Sequence, residues 1–188
     1  MRIFAATTVS TLSKIVSILL FLGFIACSVF AVSSFRAERS GARLFSEYFS
    51  AAPVQGYGVQ RSLAVDQVDV DASILRQAYA HHKAENYDLA LVSFRAYLES
   101  NPVPENDEVL MLAGTSAVAM GNYGEGAEYF DQIEATGEFA AEAWWHLALI
   151  NLQGDNLTDA RSELRKVSAN KQGARFPAIE LLEKISAR

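Results

Sequence analysis

A short polar turn in the middle of the chain, Gly121-Asn122-Tyr123, decides the fold because two related turns flank it. They are Glu85-Asn86-Tyr87 and Asp155-Asn156-Leu157, so the third position of the turn recurs after 36 and then 34 residues. A small residue follows three positions after each turn, and a large apolar residue follows seven positions after it. These residues are Ala90, Gly126 and Ala160, and then Phe94, Phe130 and Leu164. Self-similarity at this period predicts stacked helix-turn-helix units.

A second small residue precedes each turn at a matching position, nine residues before its third position. The resulting pairs are Ala78 with Ala90, Gly114 with Gly126, and Ala148 with Ala160. Two helices approach to about 8 Å only where the crossing residues are small. Glycine inside a helix costs about 1 kcal/mol relative to alanine, so the two glycines of the middle unit indicate close packing there.

The spacing of the third and first units resembles the tetratricopeptide repeat. The residues that carry the resemblance are Trp144, Leu147, Ala148, Ala160 and Leu164 in the third unit, and Ala90, Phe94 and Pro102 in the first. The resemblance covers residues 71–173 and implies three helix pairs, with a terminal helix after them. It implies an all-α solenoid that binds proteins rather than an enzyme, and it calls for no cofactor.

In this family the first helix of each pair lines a concave face. The candidate partner-binding residues are Leu75, Tyr79, His82, Met111, Thr115, Val118, Trp145, Leu149 and Leu152. Most are apolar, which argues against the lysine and asparagine clamp that holds a terminal carboxylate in some members. An apolar groove suits a partner helix or an apolar peptide segment, with Tyr79 and Trp145 as aromatic anchors. Burial between units is the alternative interpretation, above all for Leu149 and Leu152.

Charge and composition exclude several other functions. All 22 acidic residues and 14 of the 16 basic residues follow residue 34, which gives that part a net charge of −8 and argues against nucleic-acid binding. Cys27 is the only cysteine, so neither an internal disulfide nor a cysteine-based zinc site is available. His81 with Glu85, and His146 with Glu142, have a spacing that two metal ligands can share, but two ligands do not make a metal site. No catalytic motif is present.

Residues 15–35 carry no charge and are long enough to cross a bilayer as one helix. We interpret residues 1–35 as a membrane anchor or signal segment. Two alternatives are cleavage by a signal peptidase near Ala31 and a lipoprotein modified at Cys27. The flanking basic residues do not fix the orientation. The basic start followed by an apolar segment favours export, which predicts a single-pass protein of the bacterial inner membrane with periplasmic repeats.

Residues 36–70 join this leader to the repeats and divide into two parts. Leu44, Phe45, Tyr48 and Phe49 form an aromatic stripe at helical spacing, and residues 51–70 read as a linker. The stripe has three possible places: the bilayer surface, the repeats, or a continuation of the membrane helix. One hypothesis is that residues 40–50 occupy the concave face when no partner is bound, because a soluble protein rarely leaves an apolar patch open.

The apolar spacing over residues 174–188 predicts a capping helix, with Ile179, Leu182 and Ile185 on its apolar face. The whole arrangement resembles the small membrane-associated tetratricopeptide proteins of Bacteroidota-type bacteria. This resemblance implies an adaptor or scaffold at the envelope. The alternatives are a homo-oligomeric structural envelope protein and an accessory subunit of an envelope enzyme complex.

Overall fold

The structure, a computed structural model, describes residues 41–55, 70–104 and 106–187. Within these ranges all regular secondary structure is helical, which confirms the all-α prediction for this part of the chain. The helices are α1 (residues 41–48), α2 (Val70–Lys83), α3 (Tyr87–Ser100), α4 (Asp107–Ala119), α5 (Tyr123–Asp131), α6 (Ala140–Gln153), α7 (Leu157–Ala169) and α8 (Ala178–Ser186). A short 3-10 helix, Lys171–Arg175, precedes α8. The packing described below lies within one compact unit that begins at Ala42.

Six of the helices pack as three successive pairs, α2 with α3, α4 with α5, and α6 with α7. Each pair also contacts the next, through α3 with α4 and through α5 with α6. Turns of three residues join the two helices of each pair, and such short connections produce antiparallel neighbours. This succession fits an α-solenoid of stacked helix pairs.

The three turns share one backbone conformation. The middle residue of each three-residue connection is left-handed, with φ of 60° at Glu85, 79° at Gly121 and 57° at Asp155. The asparagine that follows donates its N–H to the carbonyl oxygen five residues back. These bonds are Asn86 to His81 at 2.9 Å, Asn122 to Ala117 at 2.8 Å, and Asn156 to Asn151 at 2.8 Å. Because this bond satisfies a free carbonyl at the end of a helix, the polar turn acts as the stop signal of each first helix.

The small-residue pairs lie where the two helices of a pair come close. All four alanines of the outer pairs, Ala78, Ala90, Ala148 and Ala160, are completely buried. A Cβ atom on Gly126 would lie 3.1 Å from the carbonyl oxygen of Gly114, and one on Gly114 would lie 2.5 Å from the Phe130 ring. The close approach predicted for the middle pair is therefore confirmed.

The last helix, α8, packs against α7 and buries Ala178, Leu181 and Ile185. The predicted apolar face is confirmed at Ile185, which is buried, and at Leu182, which is partly buried, but it is wrong at Ile179, which is 66% exposed, and it missed the buried Leu181. Residues at spacings of three and four from Ala178 share one helical face, and α8 turns that face toward α7.

Among the described residues, no helix is long and apolar enough to span a bilayer. The predicted span, residues 15–35, lies outside the described ranges, as do residues 56–69 of the predicted linker.

Candidate functional site

The first helices of the three pairs form a face that a segment of the same chain covers. We call residues 42–55 the strap; it is helical to residue 48 and has no regular structure after that. Every residue of α4 from Glu108 to Val118 is buried. A helix is buried all round only when neighbours cover its whole circumference, and the strap contributes part of this cover.

The helical half of the strap contributes aromatic side chains to the covered face. Phe45 and Phe49 stack on each other with ring centroids 5.0 Å apart. The Phe45 ring also meets the edge of Tyr123 at 5.4 Å, and Phe49 meets His146 of α6 at 5.8 Å. Edge-to-face contacts of this kind add to the stabilisation from buried apolar area.

Tyr48 anchors the helical half of the strap to two further helices. Its ring lies 6.1 Å from the Trp145 ring in an edge arrangement, and its hydroxyl donates to Glu180 of α8 at 2.7 Å. Lys184 of α8 donates to the Tyr48 hydroxyl and pairs with Glu47 at 2.9 Å. The hydrogen bond to Tyr48 raises the pKa of Lys184, and the hydrogen bonds to Glu47 and Glu180 raise it further. We call Glu47, Tyr48, Glu180 and Lys184 the latch.

The second half of the strap is held by its main chain. His82 of α2 bonds the carbonyl oxygen of Ala52 through Nε2 at 2.8 Å. The Gln55 N–H donates to Oε1 of Glu108 at 2.6 Å, and the Tyr79 hydroxyl donates to the other oxygen of Glu108 at 3.1 Å. Two buried side chains therefore hydrogen-bond the main chain of the strap. His82 bonds the carbonyl of Ala52, and Glu108 bonds the N–H of Gln55, three residues further along.

The protonation state of His82 fixes the direction of its bond to the strap. A carbonyl oxygen only accepts, so Nε2 carries the proton in the bond to Ala52. Burial lowers the pKa of His82, against the opposite effects of the Ala52 carbonyl and the Glu108 carboxylate. The ring is therefore neutral near pH 7, and its Nδ1 lies 2.8 Å from the Ser116 hydroxyl, which also bonds the Leu112 carbonyl at 2.8 Å.

His146 lies beneath Phe49 in a different environment. Its ring stacks on Phe130 at 5.2 Å, and burial lowers its pKa to about 3, with a smaller effect from the Arg175 charge. Nδ1 of His146 is buried and has no hydrogen-bond partner among the described residues. An unsatisfied buried polar atom destabilises a fold by about 1 to 3 kcal/mol.

Residues 111–174 match the tetratricopeptide repeat family. The match runs from α4 through the 3-10 helix and covers about a third of the chain. Together with the helix pairs, it supports a tetratricopeptide repeat protein. Comparisons with curated proteins and with solved structures gave no significant match. Arrays of this kind generally present protein-binding surfaces and are typically non-catalytic.

The nine predicted partner-binding residues of the repeats are all buried: Leu75, Tyr79, His82, Met111, Thr115, Val118, Trp145, Leu149 and Leu152. His82 and Trp145 contact the strap directly, and Tyr79 contacts it through Glu108. Val118 instead lies at the crossing with α5, where its side chain is the nearest atom to a Cβ placed on Gly126. Thr115 donates its hydroxyl to Met111 within α4.

Several residues of this site escaped sequence reasoning: Glu108, Tyr123, His146, Glu180 and Lys184. Glu108 stands in the first turn of α4, where acidic residues are ordinary, so its position gives no sign of a bond to the strap. His146 and Glu142 have the spacing of two metal ligands in the sequence, but in the structure Glu142 forms an ion pair with Arg175. In the described part of the chain, no three histidine, cysteine or acidic side chains could hold a metal together.

Proposed function

We propose that this protein is a membrane-associated adaptor whose repeats bind a partner helix or apolar segment on the face that the strap covers. Residues 15–35 anchor it in the bacterial inner membrane and place the repeats in the periplasm, with cleavage near Ala31 or lipidation at Cys27 as alternatives. The observation that carries the proposal is that a helix followed by a segment without regular structure already fills the face formed by α2, α4 and α6. The strap is then the resident ligand, and a partner replaces it.

The way in which the strap is held supports its replacement. Leu44, Phe45 and Ala52 are its buried side chains, whereas Tyr48 and Phe49 are only partly buried. The side chains of the latch pair Lys184 and Glu47 are 38% and 45% exposed, and exposed ion pairs contribute little to stability because water screens the charges. Opening of the strap therefore starts at a weak, solvated rim.

Site-specific photocrosslinking in intact cells tests this proposal. A photoreactive amino acid replaces Tyr123, beside Phe45, and a control replaces Val92, which is 60% exposed on α3. Phe45→Ala in the full chain weakens the strap. We expect this change to increase a partner crosslink from position 123 and to leave position 92 unaffected.

Two results would count against the adaptor. Equal partner crosslinks from both positions would show that the face under the strap is not the binding site. A crosslink at position 123 that joins two copies of this chain would support the homo-oligomeric alternative, which a mass measurement of the purified protein by light scattering would verify.

A further inference from the structure

We infer that the groove, the face of α2, α4 and α6 that the strap covers, binds peptides that resemble the strap. This inference rests on the proposed function. The partner segment is a helical turn with two rows of large apolar residues at spacing four, followed by a small-small-proline sequence in extended form. In the strap these positions are Leu44 with Tyr48, Phe45 with Phe49, and then Ala51-Ala52-Pro53. The motif is taken from the strap sequence, and the contacts between the strap and the groove account for the residue type at each position of the motif.

The helical part of the motif follows from where the aromatic rings lie. Residues four apart lie on the same side of a helix, so Phe45 and Phe49 form one row and Leu44 and Tyr48 form the neighbouring row. Tyr123 and His146 meet the first row, and Trp145 meets the second. A partner needs large apolar side chains in both rows to fill the same positions.

The extended part of the motif follows from the two main-chain bonds. The carbonyl of Ala52 and the N–H of Gln55 belong to the backbone, so His82 and Glu108 select a conformation rather than particular side chains. Proline restricts the residue before it to extended conformations, and Pro53 therefore presets the Ala52 carbonyl for His82. Ala52 is itself 5% exposed, which leaves little space for a larger side chain.

The same two bonds fix the direction in which a peptide lies. Neutral His82 offers a donor at Nε2, and the Glu108 carboxylate offers only acceptors. A bound chain must present a carbonyl first and an N–H three residues later. A peptide that ran in the opposite direction would place its N–H groups and carbonyls out of register with both side chains.

A peptide added in trans tests this inference on the full-length protein in detergent. The probe is a fluorescent synthetic peptide of residues 41–55, and the receptor carries Phe45→Ala and Phe49→Ala to weaken its own strap. We expect anisotropy to show at least tenfold tighter binding to this receptor than to the unmodified protein. Replacing both phenylalanines in the peptide should reduce its affinity at least tenfold, because two of its anchors are lost.

A backbone-modified peptide separates the contribution of the main-chain hydrogen bonds from that of apolar side-chain burial. Methylation of the Gln55 nitrogen removes the hydrogen that Glu108 receives, and the expected loss is about tenfold. N-methylation of residue 47 is not a suitable control, because that residue lies within the helical half of the strap and loss of its N–H would disturb the helix. A scrambled peptide of the same composition serves instead, and binding equal to that of the native peptide would overturn the inference.

A second receptor covers the case in which the double variant does not fold. Lys184→Ala and Tyr48→Phe remove the latch without touching a buried apolar side chain. Failure of the peptide on both folded receptors would refute the motif, yet strap-dependent crosslinking from position 123 would still support the adaptor with a partner of different chemistry. Formation of dimers by the receptor alone would show that a second copy's strap is the occupant, which also contradicts the inference.

Discussion

The strap and the C-terminal cap both cover apolar surface of the same repeats, but they are attached differently. α8 follows α7 after a short connection and buries Ala178, Leu181 and Ile185. The strap reaches its face from the other end of the chain, and its bonds to Glu180 and Lys184 join residues 132 to 137 positions apart. Closing a longer loop costs more conformational entropy.

This difference indicates which cover is permanent. Regions that open first are those with solvent-exposed polar bonds and partly buried side chains, and the strap has both. The cap buries Ala178, Leu181 and Ile185 almost completely and is also held by Arg161, which donates to the carbonyl of Ile185 at 2.7 Å. We therefore expect the cap to belong to the folding unit and the strap to exchange.

The largest expected effect is on the connection to the cap. A Cβ atom on Gly173 would lie 1.9 Å from the carbonyl oxygen of Val167, so Gly173→Ala requires the backbone to move. We expect the free energy of unfolding to fall by about 4 kcal/mol or more, measured by urea denaturation. Gly154→Ala is the control, because its Cβ would lie 3.8 Å from its nearest neighbours, and its expected effect is within about 0.5 kcal/mol.

Leucine truncations compare the two covers directly. Leu181→Ala in the cap should reduce the free energy of unfolding by about 2 to 5 kcal/mol, as for other buried leucines. Leu44→Ala in the strap removes a side chain that is equally buried, but its effect is limited to the free energy of strap docking. Adding Phe45→Ala to Leu44→Ala should therefore cause little further loss. Full additivity in denaturant unfolding would show that the strap is part of the permanent core.

The sequence predicted what depends on local patterns. The turns, the small pairs and the helix succession recur at fixed spacings, with twelve residues between the members of a pair and 34 to 36 between units, so their periodicity is readable. The groove residues could be placed on the first helices, but the aromatic stripe had three possible locations. Its docking depends on contacts such as that of Gln55 with Glu108, between residues 53 positions apart, for which neither position carries a distinctive signal.

Acid provides a probe of the groove beneath the strap. His146 has a pKa of about 3 in the folded protein and about 6.5 when unfolded. Since the unfolded chain binds the proton first, the contribution of His146 to stability is constant above about pH 6.5 and falls as the pH drops from about 6.5 toward 3. At pH 5 the expected loss is about 2 kcal/mol, and His82, whose pKa burial also lowers, acts in the same direction.

The control for this effect is His146→Phe, which keeps a ring against Phe130 and removes the titrating group. This variant should lose less stability between pH 7 and pH 5 than the unmodified protein, by about 2 kcal/mol. It should also be at least as stable at pH 7, because it removes the unpartnered Nδ1. Identical pH profiles for the two proteins would mean that the pKa of His146 is the same in the folded and unfolded states.

The smallest expected effect lies where the two covers meet. Lys184→Ala removes the exposed pairs with Glu47 and Glu180 and the bond to Tyr48, and should lower global stability only slightly, because exposed ion pairs contribute little. Hydrogen exchange should nevertheless accelerate in residues 42–55 and remain unchanged in α8, because the strap opens alone. Lys166→Ala, which breaks the exposed pair with Glu163 on α7, should leave both segments unchanged. Equal acceleration in the strap and in α8 would show that they open together, and the distinction between a permanent and an exchangeable cover would then be lost.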